Sequence, residues 1–212
     1  MRDRGLRGVM LTGLFPVPRY TPTSGYHVDP SLILAFTRAE SRFRPDAVSN
    51  VGARGLMQIM PGTAQLVDGA KPSEKRLEDP SYNLDLGQRY LTELLGQLDG
   101  NLIALAASYN AGPGALTRWM GAHSGAMNDP LLFIESIPVG QTREYVKRVL
   151  TYYWMYSRRS GETAPTLDET ASGQWPRYRS YSSPAPAADP QTAQPASAIV
   201  VSDARTAPQR PD

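Results

Sequence analysis

The sequence predicts a mainly α-helical domain over residues 28–158, and three features carry that prediction. Aspartate–proline pairs recur at Asp29-Pro30, Asp79-Pro80 and Asp129-Pro130. Each places an N-cap acceptor before a ring whose fixed φ suits the first helical turn. Apolar residues then recur at helical spacing. Alternating strand patterns are missing apart from a brief stretch around residues 54–59, so any β segment is vestigial.

The first cap opens an apolar run at residues 32–36 that continues to Glu40 and breaks before Pro45. Pro61 begins a short helix reaching Val67. The second cap opens a long amphipathic helix bearing Leu84, Tyr90, Leu91, Leu94, Leu95 and Leu98, closed by Gly100. Asn101 starts another apolar run that Gly112-Pro113-Gly114 stops after Tyr109, and residues 116–120 add a turn. The third cap starts residues 131–134. Last, Tyr145, Val146, Val149, Leu150, Tyr153 and Trp154 mark one buried face of a helix. The three caps are evenly spaced, but the stretches between them do not match, which excludes an internal repeat.

Both flanks read differently. Residues 1–27 form an extended lead-in containing Pro16, Pro18 and Pro22. Arg2, Arg4 and Arg7 precede a short apolar stretch that loosely resembles a signal peptide. It is weakly hydrophobic and lacks a small-residue cleavage site, so no secretion signal is established. Residues 159–212 are expected to be a disordered Pro/Ala/Ser-rich tail: from residue 160 they hold eight of the 19 prolines and a net charge of −2. Within them, residues 175–181 alternate aromatics with arginine, and a solvated tail is favoured there over a docking segment.

Composition bounds the function. A chain of 212 residues, 41% hydrophobic and 20% charged, affords one packed core. The absence of cysteine excludes disulfides, thiolate metal sites and a cysteine nucleophile. His27 and His123 lack metal-ligand spacing, so neither a metal nor another cofactor is expected. A net charge of +2 carries no nucleic-acid signature. No apolar run approaches the roughly 18 residues of a transmembrane helix.

Glu40 is the first residue to suggest chemistry. A carboxylate is disfavoured at a helix C-terminus by the macrodipole, and apolar surroundings would raise its pKa further. A protonated glutamate at neutral pH is what a general acid requires. Arg38, Arg42 and Arg44 would oppose that shift if their side chains came close. Taken alone, Glu40 reads as a surface carboxylate; the next segment changes the reading. Residues 52–61 hold two glycines that permit close approach of the backbone to a ligand. Gln58 offers an uncharged donor and acceptor suited to sugar hydroxyls and acetamido groups. Met57 and Met60 can pack against a sugar or, as methionine more commonly does, fill core gaps.

These residues stand in a recognisable order. Glu40-Ser41-x-Phe43 is followed by Ala47-Val48-Ser49-x-x-Gly52-Ala53-x-Gly55-Leu56-Met57-Gln58-x-Met60-Pro61-x-Thr63-Ala64. Then come Ala106-Ala107-Ser108-Tyr109-Asn110-Ala111-Gly112-Pro113-Gly114, Phe133-Ile134-Glu135-Ser136-Ile137-Pro138 and Thr142-Arg143-x-Tyr145-Val146. Together, over roughly residues 28–155, they resemble the signature of the soluble lytic transglycosylase family. The resemblance implies a lysozyme-like helical fold and cleavage of peptidoglycan glycan strands. It makes Glu40 the catalytic acid/base and places Ser49, Gln58 and Met60 along the saccharide groove. Tyr109 and Asn110 would face the reacting sugar, Glu135 would be a groove carboxylate, and Tyr145 would lie near the catalytic glutamate. Ala39 and Gln141 depart from the family pattern, where Gln and Glu are common, without touching the proposed chemistry.

Read from the residues alone, Asn110 equally serves a turn, Tyr145 a core, and Glu135 a structural ion pair. The resemblance implies a one-glutamate, non-hydrolytic reaction that leaves 1,6-anhydromuramoyl ends. A hydrolytic muramidase using Asp46 or Glu135 to activate water, or a non-catalytic peptidoglycan-binding module, are the alternatives. Such a substrate implies a periplasmic or cell-envelope location. It also leaves room for a tail that tethers the domain to a cell-wall-spanning secretion apparatus.

Overall fold

A computed structural model describes residues 13–122, 125 and 128–181. Nine α-helices follow one another among them: α1 (Pro30–Ser41), α2 (Pro61–Asp68), α3 (Glu74–Leu77), α4 (Pro80–Gln97), α5 (Leu102–Ala111), α6 (Pro113–Ala122), α7 (Pro130–Ser136), α8 (Gly140–Arg159) and α9 (Pro165–Ala171). All three aspartate–proline caps form. The Asp29 side chain accepts from Ser31 N–H, that of Asp79 from Tyr82, and that of Asp129 from Leu131 and Leu132. Asn101 caps α5 through Ile103 and Ala104. Each such cap is worth about 1 kcal/mol.

The core is organised around α5, whose residues Leu102, Ile103, Ala104, Leu105, Ala106, Ala107 and Ser108 are all buried. A helix apolar on every side needs neighbours all round, and α4, α6 and α8 pack against it. α1 lies chiefly on α8. Phe36, Leu91, Phe133 and Val146 are among the fully buried side chains. Among the described residues the β content is limited to isolated bridges, Val48 with Arg54, Arg54 with Ile59, and Asn101 with Arg177.

Order extends further than the tail expected from residue 159. α9 docks through Trp154 Nε1, which donates to Thr166 Oγ1 at 3.0 Å. Beyond it, Leu102 N–H donates to the Pro176 carbonyl at 3.0 Å, and Tyr178 N–H to that of Gly100 at 2.8 Å. The Trp175 ring packs at a tilt against Phe133, with centroids 5.4 Å apart. The reason is local: aromatic side chains at 175 and 178 supply apolar area that the average composition of the tail conceals. The Pro/Ala/Ser-rich residues 182–212, and residues 1–12 with the arginines that resemble a signal peptide, lie outside the described residues.

The lead-in is tied to α4. Ser24 Oγ donates to Asp85 at 2.5 Å, Gln88 Oε1 accepts His27 N–H at 3.1 Å, and Gln88 Nε2 donates to the Gly25 carbonyl at 2.8 Å. Asp29, at the head of α1, is held from two more sides. Its other carboxylate oxygen accepts from the Tyr153 hydroxyl of α8 at 2.9 Å, and its backbone N–H donates to Tyr178 Oη at 2.9 Å. Among the described residues no helix is long and apolar enough to cross a membrane.

Candidate active site

Glu40 sits in the last turn of α1, and the chain turns sharply just after it. Arg42 and Phe43 both take left-handed φ values, 54° and 66°. Non-glycine residues pay for that conformation unless the surroundings fix it. Here the Ser41 hydroxyl donates to the Leu56 carbonyl at 2.7 Å, and Phe43 packs edge-on to Tyr156 at 6.5 Å.

Glu40 is half-buried. Its Oε1 accepts from the Tyr145 hydroxyl at 2.5 Å, and Tyr145 is buried on α8. Phe36, one turn earlier on α1, lies 4.8 Å from the Tyr109 ring and 6.4 Å from that of Tyr145. Burial in this aromatic setting pushes the Glu40 carboxyl up to about 7, against the opposing pull of the Tyr145 hydrogen bond and the Arg148 charge. Burial, with Glu40 nearby, holds both Tyr109 and Tyr145 far above the usual phenol range, so both stay neutral. The arginines beside Glu40 in sequence are not what opposes its shift. Arg38 stacks between the rings of Phe15 and Tyr152, at 4.5 and 4.8 Å, and donates to the Tyr156 hydroxyl.

Asn110 lies in the last turn of α5, next to Tyr109. Its Oδ1 accepts from Thr142 Oγ1 at 2.8 Å, and Thr142 lies one turn before Tyr145 on α8. With its oxygen occupied, Asn110 has its N–H donors left for a ligand. The Tyr109 hydroxyl donates to the Met57 carbonyl at 2.9 Å, which binds α5 to the loop at residues 47–60.

That loop explains the glycine pattern. Gly55, at φ +78°, has no room for a side chain: a Cβ there would lie 2.3 Å from the Leu77 carbonyl and 2.4 Å from Asn83 Nδ2. Ser49 Oγ accepts from Ala53 N–H at 2.9 Å, keeping its own proton to donate. Gln58 Nε2 donates to the Ala47 and Gly55 carbonyls at 2.9 and 3.0 Å. Both its donors are therefore consumed, and the amide presents a ligand with an acceptor alone. The two methionines divide their uses: Met57 is fully buried and Met60 is 39% exposed.

Glu135 is not brought to this cluster. Its carboxylate, 59% exposed, pairs with Lys147 at 2.7 Å and with Arg143 at 3.9 Å. The Lys147 hydrogen bond holds it below the usual carboxylate range. Lys147 stands two residues from Tyr145, about 200° around α8, and so on another face of the helix. Glu135 instead lines a cavity of about 370 Å³ with Leu131, Lys147 and Trp154. Asp46 is exposed. Among the described residues no group of three or more histidines, aspartates or glutamates is arranged to hold a metal.

Sequence reading missed three supports of the site. Asn83 is fully buried on α4, accepting from Met57 N–H at 2.7 Å and donating to the Arg54 and Leu77 carbonyls at 3.0 and 2.7 Å. Thr142 fixes Asn110, and Gly87 makes room for Met57, whose sulfur would stand 2.1 Å from a Cβ there. An uncharged amide at a core position of a leucine-rich helix was the available signal for Asn83.

Fold and site define a lysozyme-like, mainly helical protein built around one glutamate at a helix end. The chain belongs to the transglycosylase SLT domain family, whose model matches residues 21–130. It is 41% identical over 158 residues to the soluble lytic murein transglycosylase of Escherichia coli strain K12, covering 72% of this chain and 24% of that protein. The crystal structure of the 70 kDa soluble lytic transglycosylase from E. coli aligns with a TM-score of 0.67 at 38% identity, over 79% of this chain and 28% of that one. Lytic transglycosylase Slt of Pseudomonas aeruginosa, solved as an inactive glutamate-to-glutamine variant, aligns with a TM-score of 0.60 at 34% identity, over 78% and 25%. The chain therefore spans about a quarter of the length of these relatives.

Proposed function

We propose that this chain cleaves peptidoglycan glycan strands between N-acetylmuramic acid and N-acetylglucosamine, without water, as a lytic transglycosylase. The observation that carries the reading is the Glu40–Tyr145 pair: a carboxyl with a pKa of about 7, faced by a neutral phenol and by no second carboxylate among the described residues. The names of the relatives support it.

At neutral pH about half of Glu40 holds its proton. It gives that proton to the bridging oxygen, and the bonding pair of the breaking C1–O bond leaves with N-acetylglucosamine. The muramoyl acetamido oxygen meets the cationic C1, oriented by the free N–H donors of Asn110. The new Glu40 carboxylate keeps the Tyr145 hydrogen bond, which strengthens as charge develops. It then takes the proton of the sugar's 6-hydroxyl, O6 closes on C1, the acetamido group is released, and Glu40 is protonated again. Ser49, Gln58 and Met60 line the strand with a donor, an acceptor and an apolar surface.

Mass spectrometry of digested sacculi tests this. The expected products carry 1,6-anhydromuramoyl ends and are lost in a Glu40→Gln variant. Reducing muramic acid ends would establish the hydrolytic muramidase instead, and unchanged cleavage by Glu40→Gln would overturn the role of Glu40. The substrate places the working protein in the cell envelope. Attachment to a cell-wall-spanning secretion apparatus through residues 182–212 is tested by pull-down with and without that segment.

A further inference from the structure

α8 carries Arg148 three residues beyond Tyr145, on the neighbouring part of the same helix face. Arg148 is exposed, and no ion pair or hydrogen bond engages its side chain among the described residues. Lys147 beside it is already committed, to Glu135 at 2.7 Å and Glu144 at 3.4 Å. Arg148 lines a surface cavity of about 340 Å³ with Glu144, Lys147, Thr151 and Tyr152. A second cavity, of about 190 Å³, shares Tyr152 and adds Arg42, the residue that caps α1 just after Glu40. Cationic side chains thus border one flank of the site.

The charge on Arg148 reaches Glu40 and favours its ionised form. For a residue that must start protonated this is a handicap, and it disappears when an anion neutralises the guanidinium. A glycan of N-acetylglucosamine alone offers no such anion. A muramoyl unit does, because its side arm ends in a lactyl carboxylate or, when that is amidated, in a peptide bearing carboxylates of its own.

We propose that Arg148 is a binding residue for a carboxylate on the muramoyl side arm, selecting muramic acid strands over neutral sugar chains. This rests on the glycan-cleaving reading above. An exposed arginine–carboxylate pair corresponds to a preference of about three- to fivefold, reduced by salt.

The test measures binding by titration calorimetry in the Glu40→Gln background, so that no turnover intervenes. The probes are an N-acetylglucosamine oligomer, peptide-free glycan strands with free lactyl carboxylates, and peptide-bearing strands. The parent should prefer the carboxylated ligands, Arg148→Gln should lose that preference with unchanged affinity for the neutral oligomer, and Arg148→Lys should keep part of it. Loss on both carboxylated ligands assigns the lactyl group; loss on peptide-bearing strands alone assigns the peptide. A parent without preference, an Arg148→Gln variant that retains it, or equal weakening of all three ligands overturns the proposal. Failure of the wild-type protein to release anhydro ends refutes the catalytic reading separately, because the binding series does not depend on turnover.

Discussion

Replacing Glu40 by Gln should make the protein more stable as it makes it inactive. Glutamine keeps the shape of the side chain and an oxygen to accept the Tyr145 hydroxyl, so the change isolates the ionisation. The folded-state carboxyl titrates at about 7 against an ordinary value of 4.5. A group that binds its proton more tightly when folded favours the native state most below its unfolded pKa. That advantage is lost as pH rises from about 4.5 through 7. At 1.36 kcal/mol per unit, the ionised carboxylate costs the fold about 2–3 kcal/mol above neutrality. Urea denaturation of both proteins from pH 4 to pH 8.5 measures it. The variant should gain that amount at the alkaline end, and the gain should fade to nothing below pH 4.5. A gain independent of pH, or none at pH 8.5, would refute the burial argument for Glu40.

Tyr145→Phe removes the hydrogen bond that lowers the Glu40 pKa, a charge-assisted bond worth about 1.5–3 kcal/mol. The alkaline limb of the kcat/KM profile should move up by about one to two pH units as the plateau falls at least tenfold; an unmoved limb contradicts the pairing. Thr142→Val keeps the size of the side chain but frees Asn110, so kcat should drop about tenfold with KM and melting temperature little changed. Wild-type kcat would show that Asn110 needs no such support. Asn83→Ala leaves the buried Met57 N–H and the Leu77 carbonyl unpaired, while the Arg54 carbonyl keeps its bond from Ile59 N–H. It should cost about 3 kcal/mol or more in chemical denaturation, and a cost under 1 kcal/mol would mean the loop holds itself.

The helical framework was legible because its signals are local. Asp29, Asp79 and Asp129 each specify a helix start within three residues, and the face from Tyr145 to Trp154 repeats on the helical period. What the sequence concealed depends on distant pairs. Arg38 looked well placed to depress the Glu40 pKa, yet two aromatic rings far apart in sequence claim it. Arg148 lies 108 residues further along the chain than Glu40 and bears on it instead. Gln58 appeared able to donate and accept, and only the tertiary turn reveals that both donors are used. Glu135 and Tyr145 stand close in sequence, but helical rotation sends Lys147, and Glu135 with it, to another side of α8. The 175–181 segment was misjudged because composition averaged over a long tail cannot register two aromatics that find pockets.

The hydroxyl of Tyr178 on the amide of Asp29 has a practical corollary. Asp29 starts the helix that ends in Glu40, so a chain cut at residue 159 would lose one of the anchors of that helix and expose the apolar surface beneath Trp175. A minimal expression fragment should accordingly end at residue 181 or later, and a shorter one risks reporting a weakened fold where only the boundary was misplaced.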